Sequence, residues 1–540
     1  MLEQRSWDDS KPVKLKASLD PAWTKQFPLR TKGRYIVTST GSRFRLKAIN
    51  WYGASDASHV VGGLDVQNLD VICTTVVDMG FNAIRLPFSN EMLRTKLLPE
   101  GSVNYGKNPK LSGLNALQVF DEVVRALGRH RIVVILNNHT TYGEFCGPPS
   151  KNSLWFDPGG LFSEDNWMAD WVMMARRYST FPHVCGYDLR NEIRPRLGLT
   201  PYFGHGTTWR KWSGRCNWAR AARALAFDLL AVQAAQLIIV ERIVWPQKEL
   251  DLYAANPGPL LPDLDGHLVL GVHMYHWSGP GRFVPPWSIP PRLSCFFGVL
   301  SALGIVSKNT YGTMKRPSLK SQIDREWGNI LKNNTCPVWV SEFGADMLNE
   351  EEMKWMRDFV HIAAELNADW AYWPLNVGPK SGAGTGDILT DGEELYGMLN
   401  IDWTPRSCSE DPRIALLCKI GLSPKGGEGE SRMRNESLND EELLWPLQKF
   451  SRRRSQPMQD HNPLSGMTSA PDFTVLHEIM KTTSTRHSLR SGLGLGMRRI
   501  SSARAASNCN LADAAAYRPG VPLSSTVPCL QTLAKCAEAE

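Results

Sequence analysis

The sequence predicts an α/β fold: a (β/α)8 TIM barrel with long loops after its strands and a C-terminal extension. Three observations carry this. Eight short, nearly continuous apolar runs lie between residues 35 and 418, as expected of strands covered on both faces. Stretches with helical spacing separate them, so the strands are expected to be parallel and joined by right-handed crossovers. The first strand also runs into WYGASDASH and not into a G-x-G-x-x-G phosphate turn, which a doubly wound open sheet would want at that place.

Each element can be justified in turn. RYIVTSTGSRFRLKAINWYGA (34–54) reads as a hairpin turning at Ser-Thr-Gly-Ser and leading into the first strand. VQNLDVICTTVVDMG (66–80) has helical spacing and stops at Gly80. FNAIRLPF (81–88) is the second strand, followed by a helix in LNALQVFDEVVRALG (114–128). RIVVILNNH (131–139) is the third strand, followed by a helix in NWMADWVMMARRYS (166–179). VCGYDLRNE (184–192) is the fourth, followed by WARAARALAFDLLAVQ (218–233). LIIVERI, LVLGVHMY, PVWVSEF and DWAYWPLN give strands five to eight, starting near 237, 268, 337 and 369. Helical stretches near 320–332 and 351–366 separate the last of them.

Residues 1–34 read as an N-terminal extension and 35–420 as the barrel. From 421 onward the composition turns to Ser, Arg and Gly, as in STRHSLRSGLGLGMRRISSARAAS, so 421–540 is expected to be mostly disordered. A net charge of +7 is small for 540 residues and gives no reason to expect nucleic acid or an anionic membrane as partner. No run of eighteen apolar residues predicts a membrane span, and MLEQRSWDDSKPVKLKASLD lacks the apolar core of a secretory signal. The eleven cysteines have no C-x-x-C spacing, so a zinc site is not expected. Their scatter leaves a bridge such as Cys408–Cys418 open. Nineteen tryptophans suit core packing and also sugar-stacking platforms; the count alone favours packing.

In a barrel of this kind the active site forms at the C-terminal strand ends. Strand two brings Arg85 there. Strand three brings Asn137, Asn138 and His139; strand four brings Asn191 and Glu192. Strand six brings His273 and Tyr275, which lie two apart and so share a face. Strand seven brings Glu342, and strand eight Trp373. Singly, each has a structural explanation: an interior ion pair for Arg85, a satisfied core histidine for His139, barrel filling for His273 and Tyr275. Together, six strands converge on one rim. Two of them, four and seven, end in a glutamate, and their ends face each other across the mouth. Two opposed carboxyls in a sugar-sized cleft are the machinery of glycoside hydrolysis.

The motifs GFNAIRLPF (80–88), LNNHT (136–140), DLRNE (188–192), VHMY (272–275), VSEFG (340–344) and YWPLN (372–376) resemble glycoside hydrolase family 5, the cellulase-like retaining β-glycosidases. The resemblance spans about residues 35 to 405. NWYGASDASHVVGGLD (50–65) and IIVERIVWPQ (238–247) point within it to the fungal and plant cellulase-like branch. It implies Glu192 as general acid/base and Glu342 as nucleophile. It implies Asn191 bonded to the sugar 2-OH, and Arg85 and Tyr275 holding Glu342 ionised. It implies His139 and His273 beside the cleaved bond, and Trp373 as the floor under the sugar. The mechanism requires a raised pKa for Glu192 while Glu342 is ionised. It implies no cofactor or metal, a polysaccharide or oligosaccharide substrate, a monomer, and secretion despite the missing signal.

The expected activity is therefore retaining hydrolysis of a β-linked glycan, an endoglucanase-like reaction. A transglycosylase differs only in the acceptor of the intermediate. A non-catalytic carbohydrate-binding barrel would keep the aromatic platforms and lose a glutamate. Long loops at 140–163, 194–217 and 276–318 would choose the substrate, with Trp155, Trp277 and Trp287 as candidate platforms.

Overall fold

The computed structural model describes residues 12–14, 19–144, 151–194, 217–242, 261–279, 310–377, 394–408 and 410–425. A short helix α1 (Pro21–Thr24) and the antiparallel pair β1 (Arg30–Lys32) and β2 (Tyr35–Val37) come first. Eight parallel strands follow: β3 (Lys47–Asn50), β4 (Ala83–Ser89), β5 (Val133–Thr140), β6 (Val184–Asp188), β7 (Leu237–Glu241), β8 (Leu268–Tyr275), β9 (Val338–Gly344) and β10 (Asp369–Tyr372). They close into a barrel in sequential order, β10 pairing with β3. The eight expected strands are β3 to β10.

The helices fall where the apolar spacing put them: α2 (Leu69–Asp78), α3 (Ala116–Arg129), α4 (Glu164–Arg177), α5 (Trp218–Val232), α6 (Arg316–Ile323), α7 (Asn329–Lys332) and α8 (Glu350–Leu366). A single π-helical turn, Asp324–Gly328, joins α6 to α7. Local signals set their ends. The Asn68 side chain caps α2, and Asn115 with Gln118 forms a capping box on α3. Gly80 stands at φ +88° just past α2. A further helix, α9 (Pro412–Lys419), was not expected.

The barrel interior has two layers. Ala48, Ala83, Val133, Ile135, Leu237, Ile239, Val269, Trp339 and Ala371 form an apolar lower layer with Phe27, Leu29, Ile36 and Leu46. Residues ahead of 35 thus help close the barrel floor, so a division at 34/35 runs through one packed unit. Successive side chains of a strand alternate faces, so the residue two further on points the same way. That residue is Asn50 after Ala48, Arg85 after Ala83, Asn137 after Ile135 and Glu241 after Ile239.

Three expectations need correction. The Ser-Thr-Gly-Ser turn is present, but only one bridge, Val37 to Arg43, closes it; the paired ladder lies between β1 and β2 on the other side. The fourth strand was expected to reach Glu192, yet β6 stops at Asp188. The Asn191 N–H leaves the ladder to bond the Asn138 carbonyl at 3.0 Å, and Glu192 adopts φ +38°. Residues 421–425 pack on the barrel: Leu422 is buried and the Lys425 N–H bonds the Asp78 carbonyl at 2.7 Å. The rest of the expected tail lies outside the described residues. Cys408 and Cys418 are free thiols. No helix among the described residues is long and apolar enough to cross a membrane.

Candidate active site

Arg85 is the hub. It is fully buried on β4, where an unpaired charge would be very costly. All five of its N–H groups are used. Nε lies 2.7 Å from Asp188 Oδ2. Nη1 reaches Glu342 Oε1 at 2.5 Å and Asn50 Oδ1 at 3.0 Å. Nη2 reaches Glu241 Oε1 at 2.7 Å and Asn191 Oδ1 at 2.8 Å. Burial opposes the charge, but Asp188, Glu342 and Glu241 override it and hold the guanidinium above its ordinary pKa.

Glu342 is delivered by an irregularity in β9. Val272 pairs with Val340, but His273 pairs with Glu342, so the ladder skips Ser341. From inward-facing Trp339, strict alternation sends Ser341 into the barrel, where its Oγ lies beside Gly271 and Glu241; the bulge lets Glu342 face inward as well. Its Oε2 accepts from Tyr275 Oη at 2.9 Å and lies 3.3 Å from His273 Nδ1. Burial raises the Glu342 pKa, Glu192 and Glu241 add to the rise, and His273 and Arg85 oppose it.

Glu192 stands on the segment after β6, which buried Arg190 pins to β5. Arg190 Nη1 donates to Asn138 Oδ1 at 2.9 Å, and Nη2 to the Asn152 carbonyl at 2.8 Å. The Glu192 N–H donates to Glu241 Oε2 at 2.8 Å. Its own Oε1 lies 2.8 Å from His273 Nδ1, and its Oε2 pairs with Arg194. One carboxylate oxygen from Glu192, one from Glu342 and a ring nitrogen of His273 all lie within 4.8 Å of one another.

His273 is a cation at neutral pH. Burial works against its charge, yet Glu241 and Glu342 push its pKa up to about 10. Its Nε2 lies 3.2 Å from Glu241 Oε1. His139 is the opposite: burial, then Arg85, hold its pKa well below the ordinary value. Asn137 Nδ2 donates to Asp188 Oδ2 at 3.0 Å, which leaves Asn137 Oδ1 as the acceptor 2.8 Å from His139 Nδ1. The neutral ring therefore carries its proton on Nδ1 and turns Nε2 toward Asn191 Nδ2 at 3.4 Å. The Trp373 ring lies parallel to His139 and Tyr52, at centroid distances of 5.4 and 5.2 Å. Tyr275 stacks on Trp277 at 5.0 Å.

The eight residues to which the resemblance gives roles meet at one end of the barrel; Asn137 joins them through Asp188, while the Asn138 oxygen accepts from Trp167 and Arg190. Their protonation differs from what the mechanism led us to expect. Burial raises Glu192, but Arg194 first, and then His273, more than offset it and hold the carboxyl below the usual range. In the empty site Glu192 is thus the more firmly ionised of the two glutamates.

The sequence matches the family model Cellulase (glycosyl hydrolase family 5) over residues 38–378. The chain belongs to that family. A relative named endoglucanase, from Paenibacillus polymyxa, is 30% identical over 419 residues, 75% of this chain and 90% of that one. A protein named major extracellular endoglucanase, from Xanthomonas campestris pv. campestris, is 34% identical over 211 residues, 39% of this chain and 40% of that one. Among solved structures, a hyperthermophilic endocellulase from Pyrococcus horikoshii aligns with TM-score 0.56 and 24% identity, over 74% of this chain and 99% of that one; this likeness speaks to the fold. The chain is accordingly a glycosyl hydrolase of the cellulase type.

In this family 5 hydrolase, Asn50, Asp188, Glu241 and Arg194 join the site without having been singled out as members of it. Glu241 carried a visible signal: the apolar run LIIV breaks into a glutamate at its end, as VCGYDLRNE does. Asp188 and Asn50 carried none apart from their partners. Among the expected platforms, Trp155 is fully buried, packs on Trp218 at 5.2 Å and bonds Glu164 through Nε1 at 2.9 Å. It is core. Trp277 is half-buried beside Tyr275, and Trp287 lies outside the described residues.

Proposed function

We propose that this enzyme hydrolyses the internal β-glycosidic bonds of a glucan by double displacement, with Glu342 as nucleophile and Glu192 as general acid/base. One observation carries the roles: two carboxyls from opposite sides of the mouth, with facing oxygens within 4.8 Å. Retaining enzymes have carboxyls about 5–5.5 Å apart, while inverting enzymes need about 6.5–9.5 Å to admit a water. The two endoglucanase-named relatives support a β-glucan as substrate.

In the first step the Glu342 carboxylate attacks C1, Glu192 protonates the glycosidic oxygen, and the C1–O bond breaks. In the second, water attacks C1, Glu192 takes its proton, and the ester bond to Glu342 breaks. Arg85 and Tyr275 each aim a donor at Glu342, which favours its ionised, attacking form. Asn191, fixed by Arg85, bonds the 2-OH. His139 and His273 line the cleaved bond, and Trp373 is the floor beneath the sugar. For Glu192 to carry a proton, substrate entry has to loosen its pairing with Arg194. The name of the Xanthomonas relative supports secretion and a role in polysaccharide breakdown.

The test is a panel of defined β-glucans, with products separated by length and their anomers followed by NMR. Internal cleavage with the β-anomer formed first is expected. Inverted product, or release of single sugars only, contradicts the reading.

A further inference from the structure

β7 ends in Glu241, a third glutamate that the double displacement does not use. It is 2% exposed. Its Oε2 accepts the backbone N–H of Glu192 at 2.8 Å. Its Oε1 lies 3.2 Å from His273 Nε2 and 2.7 Å from Arg85 Nη2. Glu192 stands at φ +38°, a left-handed conformation that residues with a Cβ enter rarely and keep only where their surroundings hold them. Glu241 supplies such a hold at that residue's own N–H, and a carboxylate makes the stronger, charge-assisted kind of bond. It also makes an ion-pair contact, outside hydrogen-bond geometry, with the far nitrogen of His273, whose near nitrogen faces Glu192 Oε1 at 2.8 Å. One side chain therefore holds the acid/base residue by a hydrogen bond at its backbone and, through the charge of the imidazole, acts on its carboxyl.

We propose that Glu241 is a positioning residue that aims Glu192 at the glycosidic oxygen, a claim that rests on the acid/base role given to Glu192 above. A misplacement of about 1 Å in a catalytic group can lower a rate about 100-fold. The loss should fall on proton delivery and spare the nucleophile, because Arg85 keeps its bonds to Glu342, Asp188 and Asn50 when Glu241 is gone.

The experiment compares Glu241→Ala and Glu241→Gln with Glu192→Ala on two aryl β-cellobiosides. Dinitrophenolate leaves without a proton; phenol needs one. For Glu241→Ala, kcat/KM is expected to fall about 100-fold on phenyl cellobioside and by no more than about threefold on 2,4-dinitrophenyl cellobioside. Glu241→Gln keeps the volume and one carbonyl oxygen for the Glu192 N–H, so it should show the same split at about tenfold. Added azide, which attacks C1 of the glycosyl-enzyme without base assistance, should speed Glu241→Ala on the dinitrophenyl substrate and leave the parent enzyme unchanged. Equal loss on both substrates, or no loss, overturns the proposal, and Glu241→Gln decides it if the alanine variant does not fold. Should Glu192→Ala itself show no split, the role of Glu192 is what fails, and the proposal with it.

Discussion

On β4, Ala83 and Arg85 point into the same barrel two residues apart; on β7, Ile239 and Glu241 do the same. The lower members sit in the apolar layer that Phe27, Leu29 and Ile36 help close. The upper members sit in a mesh of two guanidiniums, two imidazoles and four carboxyls. One backbone therefore serves two purposes. Burial in the lower layer stabilises the fold at about 25 cal/mol per Å² of apolar surface. Burial in the upper layer works against it, since each desolvated charge has to be matched by partners. The mesh is tolerated because the lower layer holds the strands in place and every Arg85 donor finds an acceptor.

Five substitutions would break or sharpen this contrast. The largest effect is expected in the upper layer: Glu342→Ala should lower kcat on glucan about 10⁴-fold or more, and Glu192→Ala about 10²–10⁴-fold. Both should still melt cooperatively by circular dichroism; near-normal turnover in either would refute the roles assigned. Next, Arg85→Met leaves Asp188, Glu241 and Glu342 without their shared cation. Urea unfolding should reveal a loss of about 3–5 kcal/mol, together with loss of activity.

In the lower layer, Ile239→Ala should cost about 2–5 kcal/mol in the same assay, yet the folded enzyme should keep its kcat. A kcat that dropped as steeply as the stability would mean the layers are not separable. The smallest effect is a shift in pH dependence. Arg194 holds the Glu192 pKa down, so Arg194→Gln should raise it. The acid form would then persist to higher pH, and the basic limb of the kcat/KM profile should move up by about one unit. An unmoved limb, or one moved down, would show that Arg194 does not govern Glu192.

How much of this could be read from the chain differs between the layers. The eight strands were legible because each is a compact apolar run flanked by helix-patterned segments. The pairing of His273 with Tyr275 on one face followed from their spacing of two. Alternation fails where the strand does: the skip at Ser341 reverses the face that Trp339 would predict for Glu342, and no residue type in VSEFG announces it. Glu192 was legible as a strand-end glutamate but not as a residue four positions beyond the strand at φ +38°. The charge state was least legible. It depends on how close Arg194 and His273 come to one carboxyl, which only the folded chain decides. Trp155 shows the same limit for aromatics, since a core ring and a sugar platform look alike until their surroundings are seen.

The most direct test of the two-glutamate account is to trap the intermediate. The enzyme would be incubated with 2,4-dinitrophenyl 2-deoxy-2-fluoro-β-cellobioside, digested, and mapped by mass spectrometry. The account predicts one fluorocellobiosyl group, on the peptide that contains Glu342. A label on Glu192, Glu241 or any other residue, or no label at all from an enzyme that yields inverted product, would contradict it.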